Sequence, residues 1–307
     1  MTKDELIAEI AKLIDKPTAC PTLEAVLADW LTETGADMAT GTAHVYRHHI
    51  LAFGDSFAGL RTPIAEIPRR RLDQYVNQPG YTQQTARVRL AALRAIWRYA
   101  AAKGYMTANE AQTLRVRRWD RPMGCLEVTE TLPMTDADYA AVLEVARRHV
   151  NPFWYHSTVL AYRTGLRLVD CCHLEWANIT PDFIIVWTKK SGRRVCLPLS
   201  DPLISAPDLL ETVRAIEAMP RSDPTYVWPE MVAKYKIRGY CSPTYARILA
   251  RAKVNMKSFH SLRHAFASRL NDAGRTIEDI AKQMGHAGTD MTRRYIHESV
   301  KPAESQG

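Results

Sequence analysis

The sequence has 307 residues, of which 46% are hydrophobic and 24% are charged, and its formal net charge is +8. The composition is that of a globular protein, and the length predicts two domains because it exceeds what one hydrophobic core usually organises. No run of about 18 apolar residues indicates a membrane span, and Lys3, Asp4 and Glu5 near the start are unlike a signal peptide, so the sequence predicts a cytoplasmic protein. The basic charge is compatible with nucleic-acid binding but is a weak signal alone.

The pattern of the first part of the chain, 1–115, predicts a helical domain. Apolar residues recur at three- and four-residue steps in three segments, 23–31, 43–53 and 82–103. Gly104 follows as a helix stop. Six arginines of this domain are predicted to contact DNA phosphates: Arg69, Arg70, Arg71, Arg87, Arg94 and Arg98. The last three share one face of a helix, a pattern that also fits an ordinary solvated surface.

A polar stretch, 116–132, predicts a basic linker between two domains. The stretch contains Arg117 and Arg118, which are predicted to contact DNA, and further along it contains Pro122 and Gly124. Its charge suits a segment lying on DNA, although linkers are commonly charged for solubility alone. The second domain is therefore expected to span 133–307.

The second domain predicts helices around one small antiparallel sheet, and hence a mainly α fold of the α+β class. Helical patterns cover 135–149 and 153–163, break at Gly165 and resume through Trp176. The β-rich runs 183–187 and 194–199 flank two lysines, which predicts a hairpin with lysines at its turn. The rest is helical, with Ser242 as a predicted N-cap, Pro243 as the first helical residue, Thr276 as a second N-cap and Gly285 as a helix stop.

The six cysteines are scattered along the chain. Only Cys171-Cys172-His173 resembles a ligand cluster, and no second Cys/His pair stands at zinc spacing. We therefore predict reduced, structural thiols and no metal site.

Five short motifs follow one another in the second domain. They are Thr164-Gly165-Leu166-Arg167, Lys190-Ser191-Gly192, His260-Ser261-Leu262-Arg263-His264, Met284-Gly285-His286 and Thr292-Arg293-Arg294-Tyr295. Each motif is weak alone, but the ordered set resembles the phage-integrase family of tyrosine site-specific recombinases. The resemblance covers 135–297 well and 82–109 more loosely. Asn178 and Met284 stand where relatives commonly have Asp and Leu, and neither position handles charge in the transition state.

The resemblance implies a fold, an assembly and a reaction. Two domains would form a C-shaped clamp that closes on opposite faces of double-stranded DNA, and a homotetramer would assemble on two DNA sites. Neither a metal nor a nucleotide cofactor is expected, because arginine and lysine replace divalent cations and the phosphotyrosyl bond conserves the energy of the cut phosphodiester. Whether accessory DNA-bending or directionality proteins take part stays open, as does the choice among integration, excision and resolution. The early start of the DNA-binding domain disfavours a large integrase with an extra arm-binding domain.

The chemistry of the motifs agrees with a phosphodiester transfer, which needs a nucleophile, cations on the non-bridging oxygens and a proton for the leaving alkoxide. We expect Tyr295 to be the nucleophile. Arg167 and Arg263 suit the phosphate because a guanidinium donates paired hydrogen bonds and stays charged. A tyrosine hydroxyl, with a pKa near 10, needs help to lose its proton, and His260, one turn before Arg263, is the candidate base.

The remaining site residues have supporting roles. His286 is expected to donate a hydrogen bond to the phosphate, and Lys190 is expected to protonate the departing 5′-oxygen. Lys189 is its rival, but strand alternation sends neighbouring side chains to opposite faces, and the motif alignment selects Lys190. Asp170 and His264 are expected to orient the residues that contact the phosphate.

Two other functions compete with recombination. A type IB topoisomerase would use a similar tyrosine, two arginines, a lysine and a histidine to relax supercoiled DNA. A noncatalytic DNA-binding regulator would explain the charge and the helices, but it would leave the ordered motifs unexplained. The short spacing from His286 to Tyr295 favours the recombinase.

Overall fold

The computed structural model describes residues 20–35, 38, 40–107, 109–117, 132–237 and 239–297, except for the side chains of residues 40 and 294–297. Contacts divide the chain into two compact units, Met1–Val128 and Thr129–Gly307. Both units are mainly helical, and the described part of the chain has one sheet, of two antiparallel strands, which confirms the predicted α+β class. The predicted linker falls mostly outside the described residues, so its bounds remain a prediction.

The first unit is a helical domain with its own apolar core. Its helices are α1 (Leu23–Glu33), α2 (Thr40–Phe53), α3 (Arg69–Val76) and α4 (Gln83–Ala102). A π-helical turn, Gly54–Ala58, and a 3₁₀ turn, Ile64–Glu66, connect α2 to α3. Thr82 caps α4 by accepting the backbone N–H of Thr85. Ala92 and Ile96 of α4 are fully buried, as the apolar spacing predicts, and Gly104 follows the helix with a φ of +73°.

The second unit surrounds a larger core. In chain order its elements are α5 (Asp136–Arg147), α6 (Phe153–Thr164), α7 (Leu168–Cys172), a 3₁₀ turn (Trp176–Asn178), β1 (Phe183–Trp187), β2 (Arg194–Pro198), α8 (Pro207–Glu217), α9 (Pro229–Lys236), α10 (Cys241–Arg251), α11 (Phe259–Asp272), α12 (Ile277–Gln283) and α13 (Thr289–His297). β1 and β2 pair from Phe183 opposite Pro198 to Trp187 opposite Arg194, which leaves 188–193 as the hairpin tip. Of the helices described, none is long and apolar enough to cross a membrane.

Two predicted helix bounds are wrong. The helix expected to continue to Trp176 ends at Cys172 and is followed by a separate 3₁₀ turn. Helix α10 begins at Cys241 instead of at Pro243, with Tyr240 accepting the backbone N–H of Thr244. Proline is tolerated at its third position because the first-turn N–H groups have no partner within the helix.

Gly165 positions the first site motif. It ends α6 in the left-handed region, with a φ of +69°, and α11 packs so closely that a Cβ at Gly165 would lie 2.4 Å from Cδ1 of Phe266. The chain then turns into Arg167, the N-cap of α7. Glycine is therefore required here for both its backbone conformation and its lack of a side chain.

A Gly165→Ala substitution is expected to destabilise the protein by about 2–5 kcal/mol, from left-handed strain of about 1–2 kcal/mol and overpacking of about 1–3 kcal/mol. Chemical denaturation measures the loss. Gly274→Ala is the matched control, because its φ is +79° but nothing lies within 4 Å of its added Cβ. Equal losses in the two variants would contradict the proposed clash with Phe266.

Candidate active site

Arg167, His260 and Arg263 line one pocket of about 450 Å³. Three predicted site residues from α7 and α11, separated by almost a hundred residues in sequence, are thus brought together. The Nη1 atom of Arg167 is buried and has no hydrogen-bond partner among the described residues. Buried donors are normally satisfied, so this nitrogen is an unused hydrogen-bond donor beside the pocket.

Arg263 ties two of the predicted motifs together. Its side chain is only 2% exposed, and its Nη1 atom donates to the carbonyl oxygen of Gly165. Its Nη2 atom donates to the carbonyl oxygen of Met284, at 2.5 Å, and to Nε2 of His286, at 2.9 Å. Arg263, which is predicted to bind the phosphate, therefore also holds in place the turns that present Arg167 and His286.

His286 has a defined tautomer. Because arginine only donates, Nε2 of His286 must accept the bond from Arg263, and Nδ1 must carry the proton that is donated to Oγ1 of Thr292 at 2.7 Å. Thr292 is fully buried on α13, one turn before Tyr295 on the same helix. The Tyr295 side chain lies outside the described residues, so its predicted role is not tested by this geometry.

The three site histidines have lowered pKa values. Desolvation, followed by the charges of Arg263, Arg167 and Lys190, lowers the pKa of His260 to about 4, although part of its ring is exposed. Burial and the charges of Arg263 and Arg167 lower the pKa of His286 to about 3. Burial and the neighbouring His260, whose ring centroid is 5.0 Å away, lower the pKa of His264 to about 3. All three rings are thus neutral at pH 7.

The lowered pKa values predict acid sensitivity. In the unfolded chain each histidine binds its proton near pH 6.5, whereas His264 and His286 stay neutral in the folded protein until about pH 3. The unfolded state therefore takes up more protons as the pH falls, and each of these buried histidines should lower the free energy of unfolding by about 1 kcal/mol between pH 6.5 and 5.5.

Urea denaturation at the two pH values measures this loss. His286→Asn should reduce the change in the free energy of unfolding between pH 6.5 and 5.5 by about 1 kcal/mol, because one titrating group is lost. The comparison uses this change with pH, so a different absolute stability of the variant does not affect it. An unchanged slope in this variant would contradict the lowered pKa of His286.

The hairpin tip separates the two candidate lysines. Nζ of Lys189 forms an ion pair with Oε1 of Glu175, at 3.4 Å. Lys190 is exposed, and its charge acts on His260, on the side of the predicted site. Asp170 is buried, and its Oδ1 atom accepts the backbone N–H of Lys189 at 2.8 Å, which joins α7 to the hairpin. These contacts favour Lys190 over Lys189 and agree with an orienting role for Asp170.

The cysteines form no ligand cluster in the described part of the chain. Cys171 and Cys172 are fully buried free thiols, and Nδ1 of His173 is paired with the carbonyl oxygen of Val169. No group of three His, Cys, Asp or Glu residues suited to a metal ion occurs among the residues described.

The predicted phosphate-binding arginines of the first unit fall into two groups. Five are exposed on α3 and α4: Arg69, Arg70, Arg71, Arg87 and Arg98. Arg94 instead donates to the carbonyl oxygens of Ala111, Gln112 and Leu114, so it fastens the segment after α4. Arg117 pairs with Asp73 at 2.5 Å, and Arg118 lies outside the described residues.

Three residues have structural roles at these sites that were not predicted from the sequence. Arg89 is buried between the rings of Tyr75 and Tyr81 in the first unit, and it lies next to the arginine positions that were predicted. Thr292 and Ser191 bind His286 and Gly285. Thr292 and Ser191 both lie inside motifs of the sequence, and only those motifs could have indicated them. The groups that their hydroxyls contact lie six residues away for Thr292 and 94 residues away for Ser191.

Comparison with known proteins places this geometry in context. The sequence model described as the phage integrase family matches residues 133–301, more than half of the chain. Tyrosine recombinase XerD of Brucella melitensis is 27% identical over 282 residues, covering 86% of this chain and 88% of its own. Tyrosine recombinase XerC of Mesorhizobium japonicum is 25% identical over 239 residues, covering 69% of this chain and 71% of its own.

Solved structures share the fold. A lambda integrase dimer bound to a COC′ core site superposes with a TM-score of 0.72 and 18% identity, covering 97% of this chain and 83% of that one. The Tn1549 transposon integrase in complex with a circular intermediate DNA gives a TM-score of 0.61 at 15% identity, covering 90% and 95%. At these identities the likeness concerns the fold.

Proposed function

The chain belongs to the phage integrase family of tyrosine recombinases, and from that premise we propose that it cuts and rejoins duplex DNA through a 3′-phosphotyrosyl intermediate on Tyr295. It is a site-specific DNA recombinase, a function that the family match, the recombinase relatives and the integrase fold all support. The choice of nucleophile and the role of each site residue are our proposal.

The proposed cleavage step balances protons and bonds. The phenolic oxygen of Tyr295 attacks the scissile phosphorus and gives its proton to neutral His260. The bond from phosphorus to the 5′-oxygen breaks as the new bond forms, and Lys190 gives a proton to the departing oxygen. Religation reverses these transfers with the 5′-hydroxyl of another strand as the nucleophile.

The observation that carries the proposal is the pocket lined by Arg167, His260 and Arg263. Its two guanidinium groups supply fixed positive charge for the pentacoordinate phosphorus of the transition state, and the buried Nη1 of Arg167 is an unused donor. Neutral His260 faces the same charges and is able to act as a base. Nε2 of His286 accepts a hydrogen bond from Arg263 and carries no proton. To donate to the phosphate, this nitrogen has to gain a proton and turn away from Arg263, so the proposed donor role requires a rearrangement when DNA binds.

The assembly and the setting are part of the proposal. One related solved structure is a lambda integrase tetramer bound to a Holliday junction, which supports a homotetramer on two DNA sites for this chain. We place the reaction in the cytoplasm, without a metal or nucleotide cofactor. One related solved structure is the integrase of transposon Tn1549, which supports residence on a mobile element for this chain.

Recovery of the bound DNA followed by adduct trapping tests this function. Genomic fragments that the protein retains would be sequenced, and the selected site would be labelled and incubated with the protein in EDTA. A covalent, protease-sensitive adduct is the expected result. Binding without any adduct would indicate a noncatalytic regulator, and loss of the adduct in EDTA would contradict the metal-independent mechanism. Relaxation of supercoils without strand exchange would indicate a topoisomerase.

The structure distinguishes two of the arginines predicted to bind phosphate. Arg87→Ala should weaken binding similarly for all sequences and reduce the slope of log K against log salt by about one, because one phosphate contact releases about one counterion. Arg94→Ala should instead lower the stability of the first unit, since three carbonyl oxygens lose their donor. Titrations at several salt concentrations and thermal melts measure both. A salt-slope change in Arg94→Ala alone would reverse the assignment.

A further inference from the structure

The tip of the β-hairpin is fastened on both sides of Lys190. The backbone N–H of Lys189 is bound by Oδ1 of Asp170, at 2.8 Å. On the other side, Oγ of Ser191 donates to the carbonyl oxygen of Gly285, at 2.9 Å. Lys190 is therefore the central residue of three, and the outer two are attached to different parts of the domain.

The hydroxyl of Ser191 belongs to a chain of hydrogen bonds within the hairpin tip. The backbone N–H of Arg193 donates to Oγ1 of Thr188 at 3.1 Å, and Oγ1 of Thr188 lies 2.7 Å from Oγ of Ser191. A carbonyl oxygen only accepts, so the Ser191 hydroxyl donates to Gly285. The Thr188 hydroxyl lies within hydrogen-bonding distance of two acceptors, Oγ of Ser191 and, at 3.2 Å, the carbonyl oxygen of Arg193. Such chains strengthen each member, because each donor polarises the next.

The turn that contains Gly285 packs closely against the hairpin. Gly285 has a φ of +62°, and a Cβ there would lie 2.9 Å from Cγ2 of Val195 and 3.0 Å from Cγ2 of Thr188. The hairpin thus packs directly on this glycine. The residues on either side of Gly285 are Met284 and His286, both of which bind Arg263. Ser191 consequently joins the lysine hairpin to the turn that is held by the arginine of the pocket.

We propose that Ser191 is a positioning residue that holds the hairpin so that Lys190 reaches the departing 5′-oxygen. It acts through Lys190, takes no part in proton transfer itself, and the inference rests on the proposed function of Lys190 as the general acid. Removing the hydroxyl leaves the carbonyl oxygen of Gly285 without this donor and frees one of the two attachments beside Lys190. We expect cleavage to slow by about tenfold, the equivalent of one hydrogen bond.

A leaving group that needs no acid separates positioning from a general structural role. In single-turnover cleavage of the selected site, Ser191→Ala should be about tenfold slow on normal DNA. It should approach the wild-type rate when sulfur replaces the bridging 5′-oxygen, because a thiolate leaves without protonation. Ser191→Thr keeps the hydroxyl and should retain most of the normal rate. Ser200→Ala, at an exposed serine after β2, is the control and should match the wild type on both substrates.

The outcomes separate this inference from the proposed function. Sulfur rescue of Lys190→Ala, together with a Ser191→Ala that is equally slow on both substrates, would overturn the positioning role alone. A Ser191→Ala variant with the wild-type rate on normal DNA would also overturn it. A Lys190→Ala variant that sulfur does not rescue would overturn both the acid assignment and the inference built on it.

Discussion

Tyr295→Phe is expected to bind its DNA site with wild-type affinity and to form no covalent complex. Phenylalanine keeps the ring but lacks the oxygen that attacks phosphorus, so the step is abolished rather than slowed. Electrophoresis under denaturing conditions with labelled DNA measures the adduct, and a mobility shift measures binding. Thr292, one turn earlier on the same helix, is fully buried and bonded to His286, and the substitution leaves this attachment in place.

A covalent complex formed by Tyr295→Phe would move the nucleophile elsewhere. Tyr235, Tyr240 and Tyr245 are then the residues to test. Tyr235 is the strongest rival, because it lines the pocket with Arg167 and is 39% exposed. Tyr245 is almost fully buried, and that burial raises its pKa, so its hydroxyl is a poor nucleophile. Tyr235→Phe should form the adduct if Tyr295 is the nucleophile.

Lys190→Ala is expected to cleave normal DNA about 10²- to 10⁴-fold more slowly than the wild type, the usual effect of losing a positioned acid. The same variant should cleave DNA with a sulfur-bridged 5′ position almost as fast as the wild type. Lys189→Ala should show neither the defect nor the rescue, because the Lys189 amine is held by Glu175. Single-turnover rates on the two substrates give all four comparisons.

An equal defect of Lys190→Ala on both substrates would assign the lysine to charge stabilisation or DNA placement. A rescued defect in Lys189→Ala would exchange the two lysines. Both results would leave Tyr295 as the nucleophile, so they test the acid independently of the covalent intermediate.

Local features of the fold were predictable because short-range sequence patterns determine them. Gly165 and Gly285 both adopt positive φ at helix ends, as their positions predicted. The hairpin and its lysine turn were likewise readable from β-branched runs around polar residues. The start of α10 could not be predicted in the same way, because Pro243 fits more than one position of a first helical turn. The helix begins two residues earlier, at the buried Cys241.

Long-range partners could not be read from the sequence. Ser191 and Gly285 are 94 residues apart, and no periodic pattern connects them. The partners of Arg263 were equally hidden: a phosphate-binding arginine was expected, and the structure shows its guanidinium binding two backbone carbonyls and a histidine. Arg94 was predicted on an exposed face by helical spacing, yet the segment that follows α4 folds back to cover it.

Mapping the covalent adduct identifies the residue that attacks the DNA. The wild-type protein would be trapped on its selected DNA site, digested with protease and nuclease, and analysed by mass spectrometry. We expect one modified peptide, containing Tyr295, with a nucleotide joined through its 3′-phosphate. A nucleotide on any other residue, or one joined through a 5′-phosphate, would contradict it.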